Sequence, residues 1–296
     1  MASDLGGSTE VTPTIAAVFI PEHWAKEAQL AARKGQVLAG TVDTQYESEM
    51  KSGRILHIAH VVNYAVTAKS DNTVVVPDYN TPTNQDITVS RYVYSASYLQ
   101  SVTEIQEEYG YNTLAAGQIG YALLGDVESQ LAGLPDGLSD SVGTFGVELT
   151  MDDWESAWTK LQVGLAPMGE RRAWLSSAAV SAWRKLGVTI SSDFTKANEN
   201  ALDNATIGRF LGFDMVESQY LESPATGQHD CAVFQKEQFL LIRQQQPKFE
   251  KERIVGDLST LVVGWELFVT AEREIDKSQS GGESLDDTWG VWLKTV

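Results

Sequence analysis

A chain of 296 residues with 43% hydrophobic and 9% aromatic content carries enough apolar surface for one large domain or two modest ones, which excludes a tail or a fibre. Its 40 acidic and 22 basic residues leave a formal net charge of −18, the wrong balance for a surface that binds nucleic acid by releasing phosphate counterions. Cys231 is the single cysteine, so no internal disulfide framework exists. The chain also shows neither a basic, apolar-cored leader nor an apolar run near the roughly 18 residues of a membrane helix, which points to a reducing cytoplasm and no membrane partner.

Met1 to Thr14 is small and polar and reads as an arm that orders only against a partner. Pro21, with Glu22 in the first turn, starts a helix through Trp24, Ala28 and Leu30 to Ala32 that stops at Gly35. From Glu47 to Tyr98 the chain is β-branched and alternating: Arg54 to Val62, Thr73 to Val76, then Ile87, Val89 and Val93 between polar neighbours. Turn-forming residues separate these predicted strands at 69–72 and 77–85. A ribbon of this kind is marginal alone in water and needs a neighbour to lie on.

The stretch Tyr111 to Leu131 organises the rest. Leu114, Gln118, Leu123, Val127 and Leu131, with Ala115, Ile119 and Ala122 beside them, predict one long amphipathic helix, capped by Asn112 and ended by Gly133-Leu134-Pro135. Three internal glycines, Gly117, Gly120 and Gly125, each cost about 1 kcal/mol relative to alanine. Tertiary packing must therefore hold the helix, and backbones are expected to approach it closely.

After a break at 135–144, Thr150-Met151-Asp152-Asp153 forms a capping box ahead of Trp154, Trp158 and Leu161. Arg171 to Leu175 reads as a strand and Ser176 through Leu186 as a helix. Ile207 to Val216 reads as a tight glycine-flanked turn feeding a strand. Cys231 to Phe234 is a strand, Glu237 to Arg243 a helix, and Leu261 to Glu272 a last long strand. Asp276 to Asp286 is linker-like, and Trp289-Gly290-Val291-Trp292 is too apolar for a free tail. The order suits an α+β fold rather than alternating βαβ units.

No phosphate loop, zinc helix, nucleophile elbow or CxxC pair occurs. His57 and His60, three apart on a predicted strand, point to opposite faces and cannot share a metal, while His23 and His229 are isolated in sequence. Asp152, Asp153 and Glu155 have the residue types of a hydrolytic acid/base pair, but at a helix start they serve the dipole equally well. Trp154, Trp158, Phe210 and Phe213 lack the basic groove of a base-stacking platform. Asn204-Ala205-Thr206 matches a glycosylation acceptor that has no secretory route. No catalytic residue, cofactor or metal follows from these residues.

Several strings resemble the major capsid proteins of tailed bacteriophages, the family with the Hong Kong phage capsid fold. Ile20-Pro21-Glu22-His23-Trp24 resembles the family's opening helix, and 47–98, led in by Gly53-Arg54-Ile55-Leu56-His57-Ile58, its extended β-hairpin loop. Ser101 to Leu131, with Asp126 in its second half, is similar to the spine helix; 149–153 and 166–175 resemble the second peripheral helix and the strand leading onward. Ile207 to Ser218 resembles the axial-domain segment G-x-x-x-G-F-x-V-x-x-S, with Met215 before Val216 as a departure of one position.

The resemblance implies a structural protein and no enzyme. Its expected parts are an N-terminal arm (1–20), an N-terminal helix region (21–46), the extended loop (47–98), a peripheral domain with the spine helix (99–171), an axial domain (172–247), a return to the peripheral domain (248–275) and a tail (276–296). It also implies homo-oligomeric hexamers and pentamers of an icosahedral or prolate shell, assembled in the host cytoplasm around double-stranded DNA. The expected partners are a separate scaffolding protein, a portal protein and, in some shells, a decoration protein. The candidate inter-subunit contacts are Arg54, Tyr64, Tyr79, Asn80, Arg91, Tyr92, Tyr94, Trp289 and Trp292. Lys51 and Lys69 are available for the loop cross-link that some members make, but nothing selects a partner for them. An encapsulin-like cellular nanocompartment shell and a soluble hydrolase using Asp152, Asp153 or Glu155 remain as alternatives.

Overall fold

The computed structural model describes residues 34–60, 66–77, 82–100, 111–186, 208–222, 229–276, 285–286 and 288–295. The predicted arm and the body of the Pro21 helix lie outside them. In chain order the elements are β1 (Ile55–His60), β2 (Thr83–Thr88), β3 (Arg91–Gln100), α1 (Tyr111–Ala132), β4 (Ser141–Gly143), α2 (Met151–Val163), β5 (Arg171–Leu175) and α3 (Ser177–Lys185). They continue as β6 (Arg209–Phe210), β7 (Phe213–Glu217), β8 (His229–Gln235), β9 (Phe239–Ile254), β10 (Ser259–Glu272), β11 (Ile275–Asp276), β12 (Leu285–Asp286) and β13 (Gly290–Thr295).

Helix α1 matches its predicted span and stops where Pro135 enters a short 3-10 turn, Leu134–Gly137. Ala115, Ile119, Leu123, Val127 and Leu131 are buried at four-residue steps, with Leu114 and Gln118 half-buried beside them; Ala122, expected on this stripe, faces solvent. The first half of the stripe packs on the antiparallel sheet β3-β10-β9, where Ile119 and Leu123 meet Val262. Its second half enters a larger core in which Val127 and Leu131 join Trp174 of β5, Phe234 of β8, Phe239 and Leu241 of β9, and Phe268 of β10.

That core joins the three-stranded sheet to a six-stranded one, β4-β13-β8-β5-β7-β6. Alternation along β5 and β8 sends Trp174, Ala232 and Phe234 toward α1, and Ala173, Leu175, Cys231 and Val233 to the other face. On that other face α2 and α3 supply Trp154, Ala157, Leu161, Ala179 and Val180. The capping box of α2 is present, with Asp153 as its acid, and Ser176 caps α3. The predicted turn is a two-residue hairpin between β6 and β7, with φ of 48° at Leu211 and 88° at Gly212, the left-handed pair that a tight hairpin requires.

Several expectations are corrected. Residues 237–243 are not helical: a 3-10 turn at Lys236–Gln238 leads directly into β9, because Phe239-Leu240-Leu241-Ile242 is buried on both faces and its continuous apolar run carries no period. Thr73 to Val76 is exposed and has no ladder partner, so it is not a strand. The ribbon's own pairing ends at Ile55↔Thr88, and β3 belongs to the body through its ladder with β10.

A domain limit at 247 cuts through β9. Helix α2, expected in the peripheral unit, packs on the six-stranded sheet, and the expected tail contains β13, which lies between β4 and β8 in that sheet.

The glycines of α1 admit side chains rather than backbones. A Cβ on Gly120 would meet the Phe249 ring at 3.3 Å, and one on Gly125 the Tyr220 hydroxyl at 3.0 Å. The tightest place lies on the facing strand, where a Cβ on Gly264 would meet Ile119 at 2.5 Å, Phe249 at 3.0 Å and Leu123 at 3.2 Å. Gly264→Ala is therefore expected to lower the free energy of unfolding by about 1–3 kcal/mol. Gly117→Ala, whose added Cβ meets nothing within 4 Å, should raise it by roughly 0.5–1 kcal/mol. Urea unfolding followed by circular dichroism measures both.

Candidate interaction surface

The ribbon β1–β2 is pinned at its root and bare at its tip. Ile58, Ile87 and Val89 are buried with Met50 of the preceding segment and with Leu240 and Ile242 of β9, and the Val89 amide donates to the Arg54 carbonyl at 2.8 Å. Beyond this root, every described residue from 66 to 77 is exposed. Val66 is 100% exposed, Val74 87%, Val75 70% and Val76 85%, so four valines stand in water with no cover from the described residues. Apolar area of this kind gains about 25 cal/mol per Å² when something covers it.

A second exposed face lies on β3. Alternation places Tyr92, Tyr94 and Tyr98 on the side of the three-stranded sheet away from α1, at 64%, 72% and 47% exposure. Tyr94 is paired with Trp265, and Trp265 with Lys248. The Tyr92 and Trp265 rings meet edge to face at 5.7 Å, and the Lys248 ammonium lies 5.6 Å from the Trp265 centroid.

The nine candidate contacts separate accordingly. Arg54, Tyr92 and Tyr94 are exposed and available. Arg91, on the helix-facing side, is engaged at home: its guanidinium donates to both oxygens of Asp126 on α1, at 2.9 and 2.5 Å. Trp289 is half-buried and donates its indole N–H to the Gly164 carbonyl at 3.0 Å. Trp292 packs edge to face on Phe145 at 5.3 Å, beneath the Lys294 ammonium at 4.3 Å. Residues Gly290–Thr295 thus form a strand within their own chain's six-stranded sheet. Tyr64, Tyr79 and Asn80 lie outside the described residues.

One functional feature went unforeseen. Glu128, fully buried on α1, accepts backbone N–H bonds from Val37 (3.1 Å), Leu38 (2.9 Å) and Ala39 (2.9 Å). Just ahead, the Lys34 amide donates to the Tyr121 hydroxyl at 2.6 Å and the Gln36 side chain to the Tyr121 carbonyl at 3.1 Å. Tyr220, beside this network, has its hydroxyl pushed up to about 12 by burial and by its hydrogen bond with Tyr121. The available sequence signal was an acid directly beside the buried Val127. The network ties residues 34–39 to the long helix.

The catalytic alternative gains no geometry. Asp153 is committed to the cap of α2, accepting from the Thr150 amide at 2.8 Å and its hydroxyl at 2.7 Å, while Asp152 and Glu155 face solvent. His57 pairs with Asp86 across the ribbon, and His60 is half-buried. His23 and the side chain of His229 lie outside the described residues. Burial pushes the Cys231 thiol up to about 11, which keeps it unreactive. Among the described residues, no group of three or more histidine, cysteine or acidic side chains is placed to hold a metal, and no helix is long and apolar enough to cross a membrane.

No family model matches the sequence, and no curated protein matches it. Solved structures do. A structure from Mycobacterium phage Che8 superposes with a TM-score of 0.75 at 21% identity, covering 93% of this chain and 97% of that one. The capsid structure of cyanophage P-SCSP1u gives 0.72 at 17% identity over 100% and 98%. The mature capsid of bacteriophage PhiM1 gives 0.70 at 10% identity over 94% and 92%. The architecture is therefore α+β and is the tailed-phage capsid fold, shared from end to end.

Glu128→Ala orphans three backbone donors. It is expected to cost about 3 kcal/mol, the upper end for a buried group left without its partner, and to open residues 34–43 to limited proteolysis while α2 and α3 stay protected.

Proposed function

We propose that this chain is the major capsid protein of a tailed bacteriophage, a structural subunit that builds hexamers and pentamers of a closed shell around double-stranded DNA. The observation that carries the reading is the end-to-end correspondence with phage capsid structures in both directions, in a chain whose described ribbon residues 66–77 are all exposed. A closed shell suits such a molecule, since symmetry repeats one modest contact over many copies.

In this reading the extended loop is the ribbon with its base, and the peripheral unit is α1 with β3-β10-β9. The axial unit is the six-stranded sheet with α2 and α3. Subunits contact one another through the loop, from Arg54 outward through Tyr64, Tyr79 and Asn80, and through the Tyr92 and Tyr94 face. A net charge of −18 suits an inner wall along which a packaged strand slides without adhering. A separate scaffolding protein, a portal and, in some shells, a decoration protein complete the particle, which assembles in the host cytoplasm.

Size-exclusion chromatography and negative-stain electron microscopy of the full chain test the proposal: capsomers or shells are expected, and a chain that stays monomeric at high concentration overturns it. Particles filled with a protein cargo instead of DNA favour the nanocompartment reading. Replacing Val74, Val75 and Val76 together with aspartate should leave the subunit's unfolding free energy within about 0.5 kcal/mol, since exposed positions tolerate change. The same replacement should abolish assembly in the same chromatographic assay.

A further inference from the structure

Beneath α1 the three-stranded sheet carries an ionisable group that the shell reading does not use. Glu266 of β10 points to the helix side, between Gly264 and Phe268. It is fully buried, and neither carboxylate oxygen has a hydrogen-bond partner among the described residues. Its position coincides with an irregularity of the ladder. Trp265 is paired with Lys248 and Leu267 with Gln245, so Gln246 and Pro247 together face Glu266 across a bulge. Two residues back along the same face, a Cβ on Gly264 would meet the Ile119 side chain at 2.5 Å.

The charged groups on the surrounding elements do not neutralise it. From β9 comes Arg243, whose Nε is itself without a partner, and which also lies beside Glu47 in the 3-10 turn Gln45–Ser48. One guanidinium therefore serves two carboxyls. From α1 comes Asp126, held by Arg91 of β3, and farther along the same helix Glu128, held by backbone amides. Loss of water raises the Glu266 carboxyl above its ordinary 4.5, and the like charge of Asp126 adds to this; Arg243 opposes both and does not win. Burial raises Glu47 in the same direction.

We propose that Glu266 is a proton-operated seat for the long helix: as a neutral acid it is accommodated under α1 at the bulge, and on ionising it loosens the contact between α1 and the three-stranded sheet. A carboxyl raised in the folded state binds its proton more tightly there than in the unfolded chain. Its contribution to stability is complete below 4.5 and is lost as the pH rises through the folded value. The inference does not require assembly, and its test reads the packing of α1 rather than particle formation.

Hydrogen exchange of the purified full chain, corrected for intrinsic rates and compared between about pH 5 and pH 8, follows residues 111–132 and 259–272. In the wild type, protection of these segments falls several-fold at the higher pH, and Tm falls with it. In Glu266→Gln both hold at their low-pH level. Parallel pH profiles for the two proteins would overturn the proposal, and so would a Gln variant that loses protection selectively at high pH, which would make Glu266 the ionised partner of Arg243. A pH response that disappears in Glu47→Gln and persists in Glu266→Gln would also overturn it, by assigning the response to Glu47. Should the Gln variant fail to fold, infrared titration of the wild type decides: the carbonyl stretch of a protonated carboxylic acid must persist above the range where exposed glutamates ionise, and its absence there overturns the proposal.

Discussion

The molecule depends on one contact, the insertion of the second half of α1 between two sheets that otherwise share little. Trp174 stacks on Phe239 at 5.1 Å with an interplanar angle of 18° and meets Phe234 edge to face at 4.6 Å, so the six-stranded sheet grips the start of β9 through three rings. Val127 and Leu131 close that cluster from above. Removing the helix would expose the inner face of both sheets at once, whereas α2 and α3 each cover only one. Ring contacts of this geometry contribute roughly 0.5–1.5 kcal/mol each beyond their area.

Polar groups are arranged around the same helix. Its outer flank is tied to β3 by Arg91 and Asp126, and its end receives the incoming chain through Glu128. Among the described residues, the ribbon's polar ties to the body lie near its root, where Gln85 donates to the Glu272 carbonyl at 2.8 Å and accepts from the Glu274 amide at 3.1 Å. The ribbon leaves the body beside Leu240 and Ile242, and its valines find no cover from the described residues of the subunit. One chain thus combines a packed body with a projection whose described valines are exposed.

Most of this was legible where spacing and punctuation agree. The span of α1, its proline stop, the α2 capping box and the Leu211-Gly212 turn each follow from local chemistry, and each stands where it was read. What failed was decided by partners far along the chain. Phe239 to Ile242 has no period because both of its faces are buried, and Val74 to Val76 has strand composition without a ladder. Trp289 and Trp292 were recognised as needing a partner, but composition does not say whose. Arg54, Tyr92 and Tyr94, expected as inter-subunit contacts, are exposed, while Arg91 is engaged by Asp126. Glu128 and Glu266 were invisible because an acid in a sequence is read as a solvent-facing group, and only burial reveals otherwise.

The place of β13 has a consequence for synthesis. It fills the slot between β4, read early, and β8, read much later, and it runs parallel to one and antiparallel to the other. Until residue 290 has emerged from the ribosome, those two neighbours present open edges toward each other, the configuration most prone to pairing with a stranger. A nascent or prematurely terminated copy is therefore adhesive but ill-shaped. The six-stranded sheet therefore closes only once residues 290–295 have been made.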